Sequence, residues 1–378
     1  HRVVELARRL DDSQALHLAQ WGLWGVWLTR GRMRESMAAA NLMQAAVAEH
    51  CVDFTVLAAP YASSVTALAA GRIELALASA RVPTDIDVGA MDQFVASAIH
   101  VSPWAGILVA RHCGHYIQGH YSRAAADWEE VERIAVGLAA TPVAQGFATA
   151  LGLTLRYMSG SLVDQARRDP RTLDEQLRKL IAFCREEGIG MWQSFAILVQ
   201  AAFDCQRGHI DGARQRVAEH IRLLDSAGIR LWFVQFLTLH ARLCHLEGDS
   251  AKALSLLDEA EAEARGSGQE LGVCEMLRLR AQVLAGMGKR QQAMKALSDA
   301  SAAAARLGSP TFGLRCALDQ HALARETGEK HVALVLLQRA FDSLPEPQAD
   351  TPDIRRARAV LSGSTLPESR PHRGSGRA

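Results

Sequence analysis

Three histidines and a cysteine crowd one short segment, His112-Cys-Gly-His-Tyr-Ile-Gln-Gly-His120, and these are the residue types that ligate zinc. His112 and His115 lie three apart and share a helical face, whereas Cys113 points elsewhere on that helix and His120 lies past the turn at Gly119. Structural zinc needs four convergent ligands, usually as two spaced pairs, and the second pair is missing. The segment therefore reads as histidines at the end of a hairpin. Gly286-Met-Gly-Lys289 has the look of a phosphate loop. It lacks the G-x-x-x-x-G-K-[ST] spacing, and Arg290 stands where a hydroxyl is required to reach the metal-bound phosphate. Paired carboxylates at Glu129-Glu130 and Glu186-Glu187 sit in helical, charge-mixed contexts and read as solvated charges. Neither G-x-S-x-G nor H-E-x-x-H occurs. No catalytic residue, metal ligand or cofactor-binding residue emerges, and the chain is not expected to be an enzyme.

The remaining polar candidates are periodic. Gln200, His240, Arg280 and Gln320 form a polar ladder at a spacing of 40. If the ladder faces an inner surface, it is the best candidate for partner contact. Trp192 and Trp232 are also 40 apart, each four residues after a glycine, and read as core packing before they read as a ligand groove.

The elements that carry these residues are set by glycines. Gly208, Gly248, Gly288 and Gly328 recur every 40 residues, and Gly188, Gly228, Gly268 and Gly308 do the same 20 earlier. Glycine suits a helix C-terminus because it enters the left-handed region without a Cβ clash. Each half-period is thus one helix and each period one hairpin. Alanine falls five residues after each glycine of the first set (Ala213, Ala253, Ala293, Ala333), and Val217, Leu257, Leu297 and Leu337 follow one helical turn later on the same face. Gly31, Gly71, Gly119 and Gly160 extend the pattern backwards less regularly; Val82-Pro-Thr-Asp85 and Asp169-Pro-Arg171 read as loop insertions. A fixed period of this length marks a solenoid, which presents an extended surface rather than a pocket.

The expectation is an all-α, right-handed superhelical solenoid of about eight tetratricopeptide-like hairpins over 1–361. Repeats are regular over 176–345 and less regular over 1–175, with the least regular stretches at 78–105 and 140–175. A closing helix spans 351–361, capped by Asp350 or Thr351 with Pro352 in its first turn, and 362–378 is read as a disordered tail. Opening on His1 with helical residues, the chain reads as part of a longer polypeptide. With 42 basic and 41 acidic residues interspersed, there is no electrostatic case for a nucleic-acid or membrane surface. No apolar run is long enough for a membrane span. Seven scattered cysteines (Cys51, Cys113, Cys184, Cys205, Cys244, Cys274, Cys316) form no C-x-x-C and suit a reduced cytoplasmic setting, most of them as small buried hydrophobes.

Four passages resemble the C-terminal repeat region of large bacterial signalling ATPases: Trp21-Gly-Leu-Trp-Gly-Val-Trp-Leu-Thr-Arg-Gly31; Cys184-Arg-Glu-Glu-Gly-Ile-Gly-Met-Trp192 with its echo at Ser226–Trp232; Cys274–Leu284; and the closing Asp350–Leu361. In that family the repeats accompany a nucleotide-binding module, often with a class III adenylate/guanylate cyclase or a winged-helix domain. The resemblance implies a non-catalytic sensor and scaffold. Its partner would be a protein, a small ligand or the ATPase core of the same polypeptide. A stand-alone adaptor is the alternative.

Overall fold

In the computed structural model, residues 2–10, 12–50, 54–82, 86–163, 169–324 and 330–363 are described. Gly328 and the tail from 364 onward lie outside them. The described residues form nineteen α-helices and a single short 3-10 turn, with no strand among them.

After α1 (Arg2–Arg9) the chain makes eight hairpins: α2 (Ser13–Thr29) with α3 (Met33–His50); α4 (Thr55–Ala69) with α5 (Ile73–Ser79); α7 (Pro103–Ile117) with α8 (Tyr121–Gly137); α9 (Pro142–Ser159) with α10 (Pro170–Glu186); α11 (Gly190–Gln206) with α12 (Ala213–Ser226); α13 (Phe233–Leu246) with α14 (Ser250–Ser267); α15 (Val273–Gly286) with α16 (Arg290–Arg306); and α17 (Pro310–Ala324) with α18 (Lys330–Asp342). An extra helix, α6 (Val88–Ile99), is inserted before the third hairpin, and α19 (Pro352–Leu361) closes the array. The insertion expected as loop at Val82–Asp85 thus leads into a helix; its residues 83–85 lie outside the described set. Asp169 is likewise less a loop residue than a cap, its carboxylate accepting from the Thr172 N–H at 3.1 Å with Pro170 opening α10. Thr351 caps α19 in the same way, accepting from the Ile354 N–H at 3.3 Å.

Every described turn glycine of the repeat has positive φ, from Gly31 through Gly308. The repeat alanines Ala213, Ala253, Ala293 and Ala333 are buried, as their spacing predicts for close-packed helices.

The array winds back on itself after five hairpins, so that a second coil sits on the first. The backbone N–H groups of Arg230 and Leu231, just before α13, donate to the Thr29 carbonyl at the end of α2, at 2.7 and 3.0 Å. Leu271 N–H, before α15, reaches Ala69 O at the end of α4. At the start of α17, Ser309 Oγ donates to Ile117 O at 2.9 Å and Thr311 Oγ1 to Tyr116 O at 2.8 Å. Hairpins one, two and three therefore dock under hairpins six, seven and eight. A helix leaves its last carbonyls without intrahelical partners and carries partial negative charge there. Here those carbonyls meet donors at the positive ends of second-coil helices. A continuous core, running from Trp24 to Cys316, fills the space between coils. All fifteen residues of α4 are buried within it.

Candidate partner-binding faces

Coil-on-coil docking divides the polar candidates between two faces. The ladder Gln200, His240, Arg280 and Gln320 is half-buried. It lies in the seam between each first helix and the second helix of the preceding hairpin. Arg280 pairs with Asp258 at 2.7 Å and Glu261 at 3.0 Å, both on α14. Gln320 Nε2 donates to Ser301 Oγ on α16 at 3.2 Å. His240 lines a cavity of about 480 Å³ with Arg214, Gln215, Glu247 and Lys252. Burial, then the cations Arg214 and Lys252, push its imidazole down to about 4, so it is neutral at physiological pH.

The two repeat tryptophans are core residues. Trp232 is fully buried at positive φ, with its backbone N–H donating to Gln269 Oε1 at 2.7 Å. Gln269 Nε2 in turn donates to the Arg230 carbonyl, so one buried amide holds the turn whose Arg230 and Leu231 N–H groups meet the first coil. Trp192 is half-buried, edge-on to Phe147 and Phe195 with ring centroids 5.4 Å away in each case.

The histidine segment is held by hydrogen bonds. His112 bridges Ala124 O at 2.6 Å and Ser161 Oγ at 2.8 Å, and His115 contacts Asp127 at 2.8 Å. Burial, then the Arg156 charge, pushes His112 down to about 3. Among the described residues, no group of three or more His, Cys, Asp or Glu is placed to hold a metal ion.

The second face was not singled out from sequence. Gln235, Glu275 and Arg315 are also 40 apart, but here the position changes chemistry from one helix to the next. They lie on α13, α15 and α17, the inner helices of the second coil. Arg278 takes both Glu275 oxygens, at 2.8 and 2.7 Å, and reaches Asp319 Oδ2 at 2.8 Å. Arg315 donates to Asp353 on α19 at 2.8 Å, to Glu275 at 3.3 Å, and to the Ser159 carbonyl ending α9 at 3.2 Å. A Cβ on Gly160 would run into that guanidinium. Arg315 thus ties the seventh hairpin, the eighth, the closing helix and the first coil together. Burial alone would raise the Glu275 carboxyl; Arg278 and Arg315 outweigh it and hold the group at about 2. Both guanidinium groups are in turn raised by these carboxylates against the opposing effect of burial. Beside this network, half-buried Arg242 makes no hydrogen bond or ion pair with any described residue, although its charge acts on Glu275 and Tyr157.

Among the described residues no single helix is long and apolar enough to cross a membrane. The repeated hairpins define a tetratricopeptide-like helical-repeat fold. A solved structure described as a Rap protein complexed with Competence and Sporulation Factor shares it, with a TM-score of 0.59 over 92% of this chain and 90% of that one, at 12% identity. No protein-family model matches the sequence, and no curated protein matches it.

Proposed function

We propose that the chain is a non-catalytic sensor and scaffold module that binds a protein partner through the inner face of its second coil. The observation that carries this is Arg242. Half-buried and without a carboxylate among the described residues, this weakly hydrated cation can pair with a bound anion at little desolvation cost. Its planar fork matches a carboxylate in bidentate fashion. The partner group is therefore a carboxylate, from an acidic side chain or a chain terminus. The Rap protein similar in fold, itself in complex with a factor, supports a binding role. The sequence resemblance to signalling ATPases supports coupling of that binding to an ATPase-linked domain, either a nucleotide cyclase or a transcriptional regulator. A stand-alone adaptor is the second reading, and the coding sequence around the chain decides between the two.

The test is selection of peptides from a random display library on the immobilised chain. Enriched peptides should carry a carboxylate and lose about tenfold or more in affinity for Arg242→Ala, the fold-change expected from losing a charge-assisted hydrogen bond. His240→Ala and Arg280→Ala should leave binding unchanged. The opposite pattern would move the partner face to the outer ladder Gln200, His240, Arg280 and Gln320.

A further inference from the structure

The ionic network has two thiols beside it that its charge pairing does not use. Cys274 on α15 and Cys316 on α17 are fully buried, and their sulfurs are 3.6 Å apart. Each is the immediate chain neighbour of a network residue, Cys274 of Glu275 and Cys316 of Arg315. A disulfide needs its sulfurs at about 2.0 Å, so closing this gap calls for a shift of less than two ångströms between adjacent helices. The network residues around the two sulfurs are only partly shielded, the Glu275 and Asp353 side chains remaining 26% and 29% exposed.

We propose that Cys274 and Cys316 form a reversible disulfide on exposure to hydrogen peroxide, and that the bond resets the ionic network joining the two coils. The chemistry balances with peroxide as the two-electron oxidant. The Cys316 sulfur, having released its proton, attacks one peroxide oxygen and the O–O bond breaks. This leaves a sulfenic acid on Cys316 and a hydroxide that takes up a proton to become water. Cys274 then attacks the Cys316 sulfur. Its proton leaves with the displaced hydroxyl as a second water, and the S–S bond forms. The sulfurs are oxidised and both peroxide oxygens are reduced. The two sulfurs can exchange these roles without changing the balance. The contact with Cys316 and burial both push the Cys274 thiol up.

Bond formation draws α15 toward α17 at the residues next to Glu275 and Arg315. Arg315 spans Glu275, Asp353 and the Ser159 carbonyl, so it cannot follow one partner without changing its hold on the others. The closing helix and the end of α9 are where the change should register.

The experiment treats the purified chain with a stoichiometric amount of hydrogen peroxide under native conditions, then maps disulfides by mass spectrometry and follows amide exchange. A 274–316 cross-link should form before the other thiols are oxidised, reverse with dithiothreitol, and be absent in Cys274→Ser. Exchange in 352–361 should change on oxidation of the parent and not of that variant. Free thiols at both positions after treatment, or sulfinic acid at either one without a cross-link, would overturn the proposal even if the variant failed to fold, because the mapping is done on the parent. A cross-link that leaves exchange in α19 unchanged would overturn the coupling to the network.

Discussion

The turn glycines on which the second coil rests and those of the second coil's own hairpins have the same backbone conformation and opposite surroundings. Gly188 and Gly208 of the first coil are open, like the latter. In the second coil, Gly248 and Gly288 have φ of 88° and 74°, and an added Cβ would meet nothing within 4 Å. In the first coil, Gly71 has φ of 71°, but its Cβ would lie 2.7 Å from both Glu270 Cβ and Leu307 Cδ2 of the second coil. Gly31, Gly119 and Gly160 are crowded the same way by Arg230, Pro345 and Arg315. The local requirement, a left-handed residue ending a helix, is thus common to the whole array. The tertiary requirement, a surface bare enough for another coil to sit on, belongs only to the coil that is sat upon. Sequence periodicity reports the first requirement and is silent on the second.

The sharpest way to break this comparison is to remove the residue that joins the coils. Arg315→Ala leaves Glu275 and Asp353 without one partner each and the Ser159 carbonyl without its donor. Loss of one side of a buried ion pair costs about 3–5 kcal/mol, and thermal unfolding should show a correspondingly large drop in Tm. Arg315→Lys should recover only part of it, because one ammonium cannot span three acceptors on different helices. A drop no larger than that of a surface substitution would mean the coils are held by apolar packing alone.

Next in size is Gly71→Ala. It combines left-handed strain of about 1–2 kcal/mol with overpacking of about 1–3 kcal/mol, chiefly against Glu270 Cβ, which is fixed to the backbone, while the Leu307 methyl can shift. Urea unfolding of this variant should shift its midpoint well below that of the parent. A shift matching the open glycines would show that the second coil can lift away locally at little cost.

Acid should separate the buried imidazoles from the ionic network by pH window, His240 of the second coil losing its contribution in the same upper range as His112. His112, in the first coil, is held at about 3 in the folded chain against 6.5 for a free imidazole. The unfolded chain therefore binds the extra proton first, and stability present above pH 6.5 is lost progressively as pH falls toward 3. Glu275, in the second coil, is held at about 2 against 4.5, so its contribution is present above 4.5 and is lost as pH falls toward 2. Tm measured against pH should fall through the upper window in Glu275→Gln as in the parent, and below about 4.5 should fall less steeply than the parent's, because only the His112 loss then continues toward 3. A parent whose Tm is constant from pH 6.5 to 4.5 would contradict the buried neutral state of His112.

Much of the architecture was legible because hairpin formation is local. Glycine spacing, the alanine five residues on, and the Thr351–Pro352 cap each act within a few residues of chain. The docking of Thr29 on Arg230 and Leu231 is a contact across some 200 residues, made by backbone groups that every residue carries. Side-chain identity therefore holds no record of it. The candidate faces diverged for a related reason. Gln200, His240, Arg280 and Gln320 stand out because all four are polar, while Gln235, Glu275 and Arg315 share the period but run neutral, acidic and basic. Opposite charges at equivalent positions are what a network between neighbouring helices needs, so a search for like residues passes over it.

The smallest effect is also the cleanest control. Gly248→Ala puts a Cβ into open space, so its cost is the left-handed backbone alone, about 1–2 kcal/mol. Gly248→Val should cost more, since a β-branched side chain resists that conformation further. The difference between Gly71→Ala and Gly248→Ala then isolates what the second coil adds, because the two positions share their φ region and their place in the hairpin. Equal losses in thermal melts of the two variants would mean that docking does not depend on bare glycine at Gly71. Unequal losses in the reverse order would place the tighter constraint in the second coil and undo the reading of the first as its seat.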